Sequence, residues 1–208
     1  VTDSDVTRYD TTGRPRAVIV MLHGGKPHST LAADRRSASW LRSASMARTL
    51  AGPAREAGAS VWLVRYRERG WNGGADRRED AVAALDQVVT EHGEVPVALL
   101  GHSMGARVAV HVADHPSVVG VVGLAPWWSA ADPVHTVRGK TVVGAHGRHD
   151  RITSFDQTVA YLDRARPVAA EVALHDMGPL GHYMLTGVRE WNRVALESSL
   201  AMVGGLRA

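Results

Sequence analysis

The segment Gly101-His102-Ser103-Met104-Gly105 sets a serine between two glycines, directly after the apolar run at 97–100. An alanine- and valine-rich stretch with helical spacing follows it. A serine on a tight strand-to-helix turn is held in a strained backbone conformation, with its hydroxyl pushed out of the sheet. The flanking glycines suit a place where strand and helix approach too closely for a Cβ. The helix start beneath the serine supplies unpaired N–H groups and a positive dipole end, both useful to a developing oxyanion. Five residues of this pattern recur by chance. The buried strand ending at Gly101 and the helix beginning at Met104 are what make Ser103 a candidate nucleophile.

A serine hydroxyl needs a base, and the base needs an orienting acid. Position separates the 11 histidines of the chain. A base must sit in a loop at the carboxyl edge of the sheet, the edge that carries the serine. His182, in a loop between a predicted strand at 170–175 and the last predicted helix, meets this condition, and His175 is the local alternative. His111 and His115 fall on or after the helix behind the serine. His23 and His102 belong to turns and are expected to point elsewhere. For the acid, Asp150 follows the strand-and-loop segment 142–149, with Asp176 and Asp132 as competing carboxylates. His146, His149 and Asp150 also offer imidazole and carboxylate to a metal, but no helical His-x-x-x-His pair accompanies them, so no metal is expected. His23-Gly24-Gly25 ends the first long apolar run, where bare backbone N–H groups can face the nucleophile.

Elements able to hold these residues are legible from periodicity. Strands are predicted at 17–23, 60–66, 95–101, 118–124, 140–145 and 170–175. Helices are predicted at 38–57, 76–92, 104–114, 155–164 and 186–202. Residues 10–16 are read as one side of an N-terminal hairpin. Strands alternating with helices of this length imply a mainly parallel central sheet with helices on both faces, an α/β class. No repeat, low-complexity tract or linker divides the chain, so residues 1–208 are expected to form a single domain.

Composition removes several alternatives. The hydrophobic fraction is 45%, and 24 Lys+Arg stand against 21 Asp+Glu for a formal charge of +3. The basic residues are scattered, so a nucleic-acid groove is not expected. No apolar run is long enough to span a bilayer. With no cysteine, thiolate catalysis, disulfides and cysteine metal sites are excluded. The first residues carry no signal-peptide core, and cytoplasm is the default expectation.

With HGG at 23–25, GHSMG at 101–105, GRHD ending at Asp150 and GH at 181–182, the chain resembles the α/β-hydrolase superfamily, in its dienelactone-hydrolase-like and small-esterase region. The order Ser, Asp, His is that of the superfamily. The resemblance implies Ser103 as nucleophile, His182 as general base and then acid, and Asp150 as the residue orienting the imidazole. It implies an oxyanion hole from the N–H groups of Gly25 and Met104, with Lys26 as substitute, and acyl transfer with no cofactor. Only residues 125–139 lie where larger relatives insert a cap, so no cap domain is expected. An open site follows, with Trp71, Trp127 and Trp128 as candidate substrate-lining residues. The expected activity is a carboxylesterase acting on small or short-acyl esters. A thioesterase, lactone hydrolase or peptidase uses the same triad, and a binding protein without turnover is the alternative of another class.

Overall fold

The computed structural model describes residues 5–34 and 36–204. Among the described residues seven strands form one sheet: β1 (Val6–Tyr9), β2 (Ala17–Leu22), β3 (Ala59–Val64), β4 (Val97–His102), β5 (Val118–Leu124), β6 (Thr141–His146) and β7 (Glu171–Asp176). Their spatial order is β1-β3-β2-β4-β5-β6-β7. All neighbours run parallel except β1, which pairs antiparallel with β3. Among the same residues five α-helices connect or follow the strands: α1 (Ala38–Glu56), α2 (Ala75–His92), α3 (Met104–His111), α4 (Phe155–Ala165) and α5 (Val188–Gly204).

The central strands are continuous apolar runs because helices cover both of their faces. Every residue of β2, β3 and β4 is buried. On one face α1 and α5 pack through Trp40, Met46, Leu50, Trp191 and Val194 against Ile19, Met21, Leu63 and Leu100. On the other, α2, α3 and α4 pack through Leu85, Val88, Val108, Tyr161 and Leu162 against Val20, Trp62, Leu99 and Val121. At roughly 25 cal/mol per Å² of apolar area removed from water, these two layers are the main source of stability.

The chain leaves β2 for α1 and β3 on one side, then returns through α2 to β4 on the other. Strand order thus reverses between β2 and β4, the place where open α/β sheets hold ligands beyond their carboxyl ends. The turns holding Gly25 and Ser103 both leave the sheet here.

Two expectations need correction. The N-terminal strand is Val6–Tyr9, and it joins β3 at the sheet edge instead of forming a hairpin through residues 10–16. Only four residues long, it carried too weak an alternation to be seen. Helix α3 stops at His111, three residues early, because Val112–Ser117 turn to enter β5. Between β5 and β6 there is only a 3-10 turn at His135–Val137, so no cap lies there. Among the described residues no helix is long and apolar enough to cross a membrane.

Candidate active site

Ser103 ends β4 and precedes α3, with φ 54° and ψ −116°. A non-glycine residue in this region stores strain of order 1–3 kcal/mol, which surrounding contacts must hold in place. They are present: Ser103 N–H donates to Leu124 O at 3.0 Å, and its carbonyl accepts from Ala106, Arg107 and Trp127 N–H at 3.1, 3.3 and 3.2 Å. The two glycines of the motif are sterically required. A Cβ on Gly105 would lie 2.0 Å from Leu22 O, and one on Gly101 would lie 2.4 Å from Ala106 N.

His182 lies in the loop between β7 and α5, and its Nδ1–H donates to Asp150 Oδ2 at 2.7 Å. Both side chains are buried, at 6% and 1% exposure. Asp150 is saturated with donors. Its Oδ1 accepts from the N–H groups of Ile152 and Thr153 at 2.8 and 2.9 Å. Its Oδ2 also accepts from Thr153 Oγ1–H at 2.9 Å and from His146 Nε2–H at 3.1 Å. His146 is held from its far side by Thr158 Oγ1 at 2.6 Å from Nδ1. Burial alone would raise the Asp150 carboxyl. The hydrogen bonds from His146, His182, Thr153 and Ile152 outweigh it and hold the group well below the usual carboxylate range. A fixed anion therefore sits behind the imidazole.

The competing candidates lie elsewhere. Asp176 is exposed and pairs with Arg148 at 2.8 Å. His175 is exposed on β7 and lines a different groove, with Lys140 and Glu171. Asp132 is buried against Arg107 at 2.7 Å and His111 at 3.0 Å. Among the described residues no group of three or more metal-ligating side chains gathers.

The turn after β2 is pinned by His23. Its Nδ1–H donates to Gly24 O at 2.7 Å, which leaves Nε2 to accept Tyr66 N–H at 3.3 Å. Burial pushes the His23 pKa down to about 4, so the ring is neutral and this tautomer holds at neutral pH. Gly25 sits against the Met104 side chain, so close that a Cβ there would meet it at 2.4 Å. Among the described residues no acceptor takes the N–H of Gly25 or of Met104. The Lys26 N–H is different: it donates to Arg69 O at 2.9 Å and is not available as a substitute.

One cavity of about 180 Å³ brings these parts together, lined by Gly24, Gly25, Ser103 and His182 and walled by Arg42, His102, Tyr183 and Leu185. This corrects the expectation for the three tryptophans, which are not among its lining residues. Trp128 is in the core, stacked on Tyr161, with its indole N–H donating to Ala106 O at 2.9 Å. Trp71 and Trp127 each lie 4.7 Å from the guanidinium of Arg107, so their faces are spent on a cation. Position in the sequence puts the tryptophans in loops at this sheet edge, but it does not give the direction of their side chains.

Several site residues escaped the sequence reading. Thr153 and His146 complete the shell of Asp150, and Arg42 reaches the cavity from α1. The spacing His146-x-x-x-Asp150 is visible in the sequence, where it suggests metal ligands and not a hydrogen-bonded pair. His102 was expected merely to point away. It lines the cavity, and its Nε2–H donates to His182 O at 3.0 Å. Burial, reinforced by the neighbouring His182 and Arg42, pushes its pKa down to about 3, so its ring is neutral as well.

The arrangement offers a strained serine, an imidazole backed by a buried carboxylate and the unpaired Gly25 N–H at one cavity, with the unpaired Met104 N–H directly after the serine. Comparisons with known proteins agree with it at the level of fold and family. The family model described as serine aminopeptidase, S33, matches residues 13–141, more than half of the chain. A comparison with curated proteins found no match. Among solved structures, an alpha-beta serine hydrolase homologue from Coxiella burnetii is 17% identical with a TM-score of 0.72, covering 93% of this chain and 90% of that one. A serine hydrolase without lid from Xanthomonas campestris is 16% identical with a TM-score of 0.66, covering 95% of this chain and 94% of that one. A thermophilic esterase from Thermogutta terrifontis, with propionate bound, is 15% identical with a TM-score of 0.69, covering 93% and 86%. At these identities the solved structures speak for the fold alone, and the family match carries the assignment: the chain belongs to the serine aminopeptidase S33 family of α/β-hydrolases.

Proposed function

We propose that this protein is a serine carboxylesterase for small or short-acyl esters, with Ser103, His182 and Asp150 as its triad. The observation that carries the reading is the 2.7 Å bond from His182 to the donor-saturated Asp150, with His182 and the strained Ser103 facing one cavity.

In the proposed reaction His182 Nε2 takes the Ser103 hydroxyl proton as Oγ bonds to the ester carbonyl carbon. The carbonyl electron pair moves to oxygen, which the N–H groups of Gly25 and Met104 receive. His182 then gives its proton to the departing alcohol oxygen as the C–O bond breaks, leaving an acyl-serine. Water repeats the sequence: its proton goes to His182, its oxygen bonds to the acyl carbon, and Ser103 leaves with the returned proton. Asp150 stays ionised throughout and supports the transient imidazolium.

Two features favour a small ester. The cavity of about 180 Å³ is below the roughly 300–1,000 Å³ of typical ligand pockets, and no cap provides apolar surface for a long chain. Its lining includes an arginine and no carboxylate, so the free α-ammonium of an aminopeptidase substrate would find no counter-charge there.

The test is intact-mass labelling with a fluorophosphonate probe, comparing the unaltered protein with Ser103→Ala, followed by a 4-nitrophenyl ester series. A single adduct that Ser103→Ala abolishes, with acetate and butyrate turned over faster than palmitate, is expected. No adduct on folded protein would sink the triad and favour a binding protein, whereas a reversed chain-length profile would sink only the substrate size.

A further inference from the structure

The loop that carries His182 has little backbone support of its own. Among the described residues the backbone of 181–186 makes one backbone bond, Met184 N–H to Gly181 O at 3.3 Å. Loops so sparsely bonded open locally at low cost. A general base, however, must hold its geometry closely, since a misplacement of about 1 Å can cost 10²-fold in rate.

Side chains from two distant segments supply what the backbone lacks. The carbonyls of three consecutive residues each accept a side-chain donor. His182 O takes His102 Nε2–H at 3.0 Å. Tyr183 O takes Arg42 Nε–H at 2.9 Å, and Met184 O takes an Arg42 Nη2–H. The guanidinium presents its donors in a rigid plane, so two donors from one fork fix both the position and the tilt of the strand they hold. Arg42 forms no ion pair among the described residues, so its donors serve the loop and not a carboxylate. Between the clamped carbonyls Met184 has φ 53°, and its side chain is 1% exposed, anchored in the layer that α1 and α5 share. The residues on either side, Tyr183 and Leu185, are 60% and 73% exposed and wall the cavity. A single short segment thus carries the candidate base and the pocket wall, and holds an unfavourable backbone angle.

We propose that Arg42, acting with His102, is a positioning residue: by clamping the 182–184 carbonyls from α1 and from the serine turn, it sets the imidazole of His182 against Ser103. The inference rests on the triad reading above. Arg42 touches no reacting atom in this role and acts through His182.

The experiment uses Arg42→Met, which keeps the stem and removes the donors, and Arg42→Lys, which keeps the charge but donates from one atom. Each is assayed for kcat and KM on 4-nitrophenyl acetate and for the rate of fluorophosphonate labelling, with thermal midpoints alongside. Arg42→Met is expected to lower kcat and the labelling rate together by about 10- to 100-fold, consistent with a base displaced by about 1 Å. KM should stay within about threefold, and Arg42→Lys should be intermediate. A kcat and labelling rate within twofold of the unaltered protein would overturn the proposal. So would a change confined to KM, which would make Arg42 a substrate-binding group. If Arg42→Met does not fold, Arg42→Lys decides: a reduced kcat at constant KM supports the clamp, and an unchanged kcat overturns it. Unaltered protein that takes no label at Ser103 overturns the triad and this inference together. Normal labelling that is indifferent to Arg42 overturns this inference alone.

Discussion

Replacing Asp150 by asparagine should cost far more activity than the loss of one charge suggests, and the surrounding donors explain why. An asparagine must choose which way its amide points. On the Oδ1 side stand the N–H groups of Ile152 and Thr153, at 2.8 and 2.9 Å, and backbone N–H groups only donate. The amide oxygen is therefore forced to that side, and the NH₂ turns to where Oδ2 was. There it meets His182 Nδ1, His146 Nε2 and Thr153 Oγ1. Each of these can adapt, and His182 does so by moving its proton to Nε2, so that Nδ1 accepts. In that tautomer Nε2 faces Ser103 as a donor and has no lone pair with which to take the serine proton. A wrong-tautomer triad of this kind loses about 10⁴ in kcat, and converting that ratio gives about 5 kcal/mol of transition-state stabilisation. The assay is kcat on 4-nitrophenyl acetate with circular dichroism and thermal midpoints on the same samples. The fold should survive, since Thr153 Oγ1 has Ala125 O at 3.3 Å as another acceptor and both Oδ1-side bonds remain. Folded Asp150→Asn with kcat within tenfold of the unaltered protein would refute the amide-orientation argument. Asp176→Asn is the control and should stay within twofold, because Asp176 only pairs with Arg148 at the surface.

Two further outcomes are expected. Ser103→Gly should be more stable than Ser103→Ala by about 1 kcal/mol, since both lose the hydroxyl and only glycine accepts φ 54° without strain, an effect measurable by urea midpoints. An alanine variant of equal or greater stability would mean that the turn is not strained. Stability should also fall on mild acidification, because His23 and His102 are buried neutral with pKa values pushed down to about 4 and about 3. The sign follows from proton counts: below about pH 6.5 the unfolded chain binds protons at these positions that the folded protein refuses. Each ring then costs about 1.4 kcal/mol per pH unit, saturating below its own folded value. Urea midpoints at pH 7 and pH 4.5 should differ by less in His23→Gln, and an unchanged difference would show that the His23 ring takes up its proton without unfolding.

The layered α/β architecture and the turn that holds Ser103 are legible in the residues alone. Both depend on short-range constraints. Apolar runs such as 17–22 and 97–100 must be buried on two sides, and the glycines at 101 and 105 answer contacts made within one strand–turn–helix unit and the strand beside it. The placement of Asp150 and His182 in loops at the carboxyl edge was also legible, because such loops of a parallel sheet can be ordered along the chain. Everything that depended on where a loop side chain points was decided by tertiary structure. Trp71 and Trp127 turn to the guanidinium of Arg107 instead of the cavity, and Trp128 fills the core beside Tyr161. Lys26 N–H is taken by Arg69 O, from the loop after β3. His146 joins Asp150 only because the strand end and the following loop fold over Thr158 at the start of α4. Arg42 meets Met184 across 142 positions of chain. Periodicity records which face of an element is buried, whereas hydrogen bonds between segments so far apart exist only once the sheet and both helical layers have brought them together.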